Sequence, residues 1–239
     1  MAFLHAHSFE CMKSELELFT LPPTQTTIES AQWIHYNPIS SLTDDSPIEF
    51  VVPGNGDKYL DLAHTMLSLH VQLRSKDTSL ADALSKAAPV NNLLHLLFNQ
   101  VDVFLNQKLV SPPNNAYAYR AYIETLLNYG PAAKGLHLSS VLWYNDTPGH
   151  MDDTAGKNIG LANRQAFVGK DRTVDLIGHL HCDVFNQEQF LLNCVELRLR
   201  LVRTIDGFSL MDPKSECSLH ITETTLLVRR AKISPDILI

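Results

Sequence analysis

Apolar residues recur at every second position along much of this chain. In "MLSLHVQLR" (66–74), Leu67, Leu69, Val71 and Leu73 alternate with Met66, Ser68, His70, Gln72 and Arg74, which is the period of a strand with one buried face. "VELRLRLVR" (195–203) repeats it, with Val195, Leu197, Leu199 and Leu201 against Glu196, Arg198 and Arg200, and "VDVFL" (101–105) repeats it through Val101, Val103 and Leu105. "IEFVV" (48–52) predicts another strand, stopped by Pro53 and the turn "PGNGD". A last long strand is predicted over 219–233, and Asp206-Gly207 between "VRTI" and "FSLM" predicts a tight turn.

Two segments break the alternation. "NNAYAYRAYIETLLNYGP" (114–131) reads as an amphipathic cover helix, capped by Asn115, with Ala118, Tyr122, Leu126 and Tyr129 on one stripe and Gly130-Pro131 as its stop. "NNLLHLLF" (91–98) is apolar on several sides and predicts a buried helical turn leading into the strand at Val101. Residues 1–45 are polar and broken by Pro22, Pro23 and Pro38, so they predict an extended arm with at most one short strand at Leu16–Thr20. About eight strands, with helix confined to loops, predict an all-β antiparallel sandwich of two sheets.

Composition narrows the function classes. The 239 residues and 26.8 kDa suffice for a real core, and 45% hydrophobic with 19% charged residues is ordinary for a packed domain. Net charge is −7, and Lys13 is the only Lys or Arg in the first fifty residues, which disfavours a nucleic-acid partner. No apolar run approaches the ~18–20 residues of a membrane span, and the start has no signal-peptide pattern, so the expectation is a soluble protein that is not secreted and has no membrane partner. Cys11, Cys182, Cys194 and Cys217 lack C-x-x-C spacing and read as reduced thiols. The sequon at Asn145-Asp146-Thr147 carries no weight in that setting.

The stretch that looks most like chemistry is "GHLHCD" (178–183). If "TVDLIGHLHCDVF" (173–185) were one strand, His179, His181 and Asp183 would share a face opposite Val174, Leu176, Leu180 and Cys182. The H-x-H pair resembles the metal sites of cupins. The shell is incomplete, however: Glu188 lies too far along, no later "PxxxxH" element supplies a third His, and Ile177 on the same face indicates a partly covered surface. His179, His181 and Asp183 are thus the candidate metal ligands of a site the reading does not adopt, and no metal or cofactor is expected. "GHMDDTAGKN" (149–158) departs from a phosphate loop in spacing and in Asn158, and reads as a flexible surface loop. "PGNGD" has no helix after it to hold a phosphate, and "GFSLM" lacks the second Gly of a nucleophile elbow, leaving Ser209 an ordinary strand residue. No catalytic constellation emerges, so the expectation is not an enzyme.

The runs "LPPTQTTIES…IEFVVPGNGDKYLDLAHTMLSLHVQL", "APVNNLLHLLFNQVDVFLNQKLVSPPNNAYAYRAYIETLLNYG", "LWYNDTPG", "FLLNCVELRLRLVR" and "LLVRRAKISPDIL" together resemble the major capsid protein of Maverick/Polinton-type elements and the related adintoviruses. The similarity extends from about Ser14 to Ile239. It implies a single antiparallel jelly-roll β-sandwich acting as a shell subunit. It also implies self-association with other capsid subunits, as in the double jelly-roll proteins that trimerise into capsomers, a possible minor capsid or penton partner, and a place in the virion, or in the cytoplasm or nucleus of a host cell. Proteins of this kind continue after a segment like "AKISPDIL" into a second jelly roll. The expected organisation is therefore an arm over 1–45, the jelly roll over 46–233, and the start of a linker over 234–239, the whole being the N-terminal half of a capsid subunit. Asn106-Gln107 stands where the family pattern has Asn-Gly, so a tight turn with positive φ is less favourable there. The alternative from the residues alone is a lectin-like binding module using Trp33 and Trp143, each of which reads better as a packing anchor.

Overall fold

Alternating sequences become a sandwich when their apolar faces bury against each other, and the inward set here is unambiguous. Ile48, Phe50 and Val52 face Leu197, Leu199 and Leu201 along one pair of strands, and all six are at most 1% exposed. Leu67, Leu69 and Val71 from the other layer join them in one continuous core with Leu219, Leu226 and Val228. The computed structural model describes residues 27–44, 46–54, 56–77, 87–168, 173–214 and 216–234.

In chain order the strands are β1 (Ile28–Tyr36), β2 (Ile48–Val52), β3 (Tyr59–Ser75), β4 (Ala88–Pro89), β5 (Phe98–Leu105), β6 (Lys108–Leu109), β7 (Thr173–His179), β8 (Leu197–Arg203), β9 (Leu210–Met211) and β10 (Cys217–Ile233). The helices are α1 (Leu93–Leu96), α2 (Tyr117–Asn128), α3 (Pro131–Gly135), α4 (Ile159–Val168) and α5 (Asp206–Ser209). One sheet runs β1-β10-β3-β7, the other β2-β8-β5-β6, with every pair antiparallel and a small β4-β9 pair beside them. Leaving out that small pair, the first, eighth, third and sixth strands form one layer and the second, seventh, fourth and fifth the other. This is the winding of a jelly roll, in agreement with the all-β expectation.

The longest strands bend by bulging. In β10, Leu219 and Ile221 point inward at odd positions, then Thr224, Leu226 and Val228 at even ones. The change of phase falls where the register with β3 shifts between Ile221 and Glu223, since one extra residue moves every following side chain to the opposite face.

Several sequence expectations are corrected. Residues 28–36, read as arm, form β1 and pair with β10 along Tyr36↔Leu226 to Ile28↔Ile233. Most of β1 is exposed on both faces, which is why it shows no alternation. The strand expected at Leu16–Thr20 lies outside the described residues. Asp206-Gly207 opens the helical turn α5 instead of a hairpin, and Ser209 ends that turn, buried, instead of sitting in a strand. In α2 the buried residues are Tyr117, Ala118, Ala121 and Thr125, whereas Leu126 is exposed; Ala116, not Asn115, is the cap, with no side-chain hydrogen bond. Gly130-Pro131 does end α2, with Pro131 at the start of α3. The turn at Asn106-Gln107 adopts positive φ at both residues, 45° and 68°, and so joins β5 to β6 as a two-residue hairpin.

Candidate functional site

The connection from β6 to β7 carries α2, α3 and α4, with α2 packed on α1 and β5, and α4 on β4 and β7. Beneath it α1 is buried because "LLHL" is apolar on every side, and this places His95 in the interior at 2% exposure. Next to it β7 stops at His179, so the strand that would have aimed three side chains at one face ends after the first. Leu180 and Cys182 turn into the core, and Asp183 begins a 3-10 turn running to Asn186.

Each member of the sequence trio meets a different partner. Nδ1 of His179 lies 3.2 Å from the backbone oxygen of Thr65 on β3. Nδ1 of His181 lies 2.8 Å from Oε2 of Glu124 on α2. Asp183 accepts from Arg120, 2.5 Å away, and Arg120 also donates to Glu124 at 2.7 Å. The three therefore do not converge, and among the described residues no group of three or more His, Cys, Asp or Glu is placed to hold a metal ion.

What forms instead is a polar cluster under α2. The ring of His95 packs edge-on against that of His181, centroids 4.5 Å apart. Nδ1 of His95 is 3.0 Å from the Tyr117 hydroxyl, which accepts the backbone N–H of His181 at 3.3 Å. A hydroxyl has one proton, so that proton is free to go to His95 Nδ1, and this arrangement suits a neutral imidazole. Burial, reinforced by the nearby imidazoles of His181 and His179, holds His95 well below the usual histidine range. Burial also lowers His179 and raises Tyr117, and it pushes the Cys182 thiol up to about 12. Neither Tyr117 nor Cys182 is thus an anionic nucleophile near neutral pH. The hydrogen bond from Arg120 lowers Asp183 and raises Arg120 itself. The cluster opens onto a cleft of about 520 Å³ lined by His95, Glu124, His137, His179 and His181. Its chemistry is cohesive: it ties α1, α2 and residues 179–183 together through groups that stay uncharged or paired.

Sequence reasoning missed His95, Tyr117, Arg120 and Glu124, because Glu124 lies 57 residues from the histidine it holds. The Arg120–Glu124 spacing of i, i+4 was the one local signal.

The loop over 149–158 is anchored where a flexible loop was expected. Its last residue, Asn158, is 1% exposed; its Oδ1 accepts the N–H groups of Thr147 and Leu161, and Nδ2 donates to Asp146 at 2.9 Å. Helix α4 follows directly, and its Gly160 lies against the backbone of Asn145, where a Cβ would come within 2.3 Å of the carbonyl oxygen. Trp143 is buried and donates through Nε1 to Asn145, so it is not available to stack on a ligand, whereas Trp33 on β1 is partly exposed. Among the described residues Cys182, Cys194 and Cys217 are free thiols; Cys11 lies outside them.

No family model matches the chain. Of curated proteins, the uncharacterized protein F54H12.2 of Caenorhabditis elegans is 26% identical over 188 residues, which is 75% of this chain and 42% of the relative. The matched stretch thus covers less than half the length of that relative. Among solved structures, the fold is similar to a chain in the structure of the Sputnik virophage at TM-score 0.55 and 12% identity, covering 96% of this chain and 53% of that one. PBCV-1 VP54, fitted into a reconstruction of the Sputnik virophage, gives TM-score 0.52 and 10% identity over 92% of this chain and 46% of that one. The mavirus major capsid protein, at TM-score 0.43 and 9% identity, is too loose a match to carry an argument. A chain of the Sputnik virophage and PBCV-1 VP54 are thus structural neighbours, and at these identities the likeness is one of fold.

Proposed function

We propose that this chain is a structural shell subunit, the N-terminal jelly roll of a double jelly-roll major capsid protein of the Maverick/Polinton and adintovirus kind. The observation that carries the reading is the jelly-roll winding, which follows a Sputnik virophage chain over 96% of this chain while spanning 53% of that longer one. A capsid jelly roll works through surface buried between subunits, so it needs a stiff sandwich with broad faces and no pocket chemistry. The 17-residue strands β3 and β10 supply such a scaffold, each able to span ~50 Å at the usual strand rise. The cluster around His95 is consistent with this, since its groups are held neutral or paired.

On this reading the segment ahead of the roll is an arm, residues 234–239 begin a linker to a second roll, and three copies form a capsomer. The subunit then resides in the virion and, before assembly, in the cytoplasm or nucleus of a host cell. Negative-stain imaging of the concentrated chain tests it: three-lobed particles are expected, and a field of solitary single-domain globules contradicts it.

A further inference from the structure

An ordinary surface helix turns apolar residues to the core and charge to water, whereas α2 buries Tyr117, Ala118, Ala121 and Thr125 and is apolar on its outer face too. Its exposed side chains include Tyr119, Ile123, Leu126 and Leu127, spaced i, i+4, i+7 and i+8, with Tyr119 60% and Leu127 79% exposed. Its only charged residues, Arg120 and Glu124, are turned aside and half-buried, engaged with each other and with Asp183 and His181. The apolar stripe does not stop at the helix. Tyr119 packs edge-on against Phe208 of α5, ring centroids 5.5 Å apart, and Ile205 just before α5 is 79% exposed. A shallow depression of about 300 Å³ lies at this junction, bordered by Tyr119, Ile205 and Phe208.

We propose that the outer face of α2, continued by Ile205 and Phe208, is a contact through which one copy of this chain meets another. The proposal rests on the shell-subunit reading and names the face that reading leaves open. Two quantities select a second copy as the occupant. The first is area: at these exposures the stripe and Ile205 offer on the order of 600 Å² of mostly apolar surface, the upper end of a monomer's largest patch. With a polar rim that approaches the ~800 Å² per partner of a stable protein–protein interface. The second is charge. The chain carries a net charge of −7, so two copies repel wherever acidic surfaces face each other. A stripe without charged side chains, whose flanking Arg120 and Glu124 are already engaged, is where like chains approach at least electrostatic cost. A nucleic acid or a strongly charged protein would gain nothing from it.

The test compares the wild-type chain with Leu127→Asp and Ile123→Asp by light scattering at matched concentrations, with circular dichroism as a check of folding. Both positions face solvent, so the monomer fold tolerates the charge. The wild type is expected to scatter as a multimer, and each variant to dissociate at a concentration at least 100-fold higher. Variants that keep the wild-type mass overturn the assignment of this face while leaving the shell-subunit reading intact. A wild type that stays monomeric at every concentration overturns both. If an Asp variant loses its fold, p-benzoylphenylalanine placed at residue 123 decides: a light-induced covalent dimer supports the contact, and its absence in a multimeric sample refutes it.

Discussion

The guanidinium of Arg164 donates to the carboxylate of Asp146 across 2.7 Å, with Arg164 wholly shielded from solvent. The same side chain donates to the backbone oxygens of Pro89 and Tyr144, at 2.9 and 2.8 Å, and so fastens α4 to β4 and to the segment after Trp143. Arg164→Met leaves Asp146 without its cation and two carbonyls without a donor, and the expected cost is about 3–5 kcal/mol. Arg164→Lys recovers little of it, because an ammonium cannot reproduce a planar fork that reaches three acceptors. Denaturant midpoints check both; a loss under about 1 kcal/mol for Arg164→Met contradicts the anchoring role.

The hairpin at Asn106-Gln107 holds a second testable feature. Asn106 tolerates its positive φ and is pinned by Glu196, whose backbone N–H donates to its Oδ1 at 2.9 Å. Gln107, at φ 68°, carries the left-handed penalty of ~1–2 kcal/mol. Gln107→Gly removes that strain and adds ~0.5–1 kcal/mol of chain entropy to be lost on folding. The net expectation is a gain of up to about 1 kcal/mol, or a melting temperature higher by about 1–4 °C. A β-branched Gln107→Val should move the other way.

Acid should loosen the chain in a defined window. His95 takes up a proton in the unfolded chain near 6.5, whereas the folded site resists protonation until a lower pH. Its contribution is therefore complete above pH 6.5 and is lost as the pH falls below it. Each pH unit crossed before the folded site titrates removes about 1.4 kcal/mol. His179, lowered in the same direction, adds to the slope. Asp183 is also lowered, but from 3.8, so its contribution fades only in stronger acid. Stability measured from pH 7.5 to 5 should fall for the wild type and fall less steeply for His95→Gln. Parallel profiles for the two would remove His95 from the account.

Strand periodicity was legible in the sequence wherever one face is buried. Ile48–Val52, Leu67–Leu73, Val101–Leu105 and Leu197–Leu201 all lie in strands whose apolar positions point inward. β1 was not legible, because a strand exposed on both faces leaves no alternation to read. Nor was α4, whose buried residues include Gly160 and Arg164, neither of which marks an apolar stripe. In α2 the stripe through Ala118, Tyr122, Leu126 and Tyr129 is rotated from the buried one, since Ala121 and Thr125 are buried on the side of α1 while the larger Leu126 and Leu127 are left outside. For "GHLHCD" the alternation holds, with Leu180 and Cys182 buried on the expected face, but strand pairing ends at His179, and His179, His181 and Asp183 each meet a separate partner. The pairing of His181 with Glu124 and of His95 with Tyr117 depends on helices that only the fold brings together.

Native mass spectrometry of the wild-type chain at micromolar concentration tests the central claim most directly. A subunit that works by meeting its own copies should appear at three times 26.8 kDa, dissociating to single chains only on activation or dilution. A spectrum holding single chains alone, unchanged up to the highest concentration that stays in solution, would contradict it.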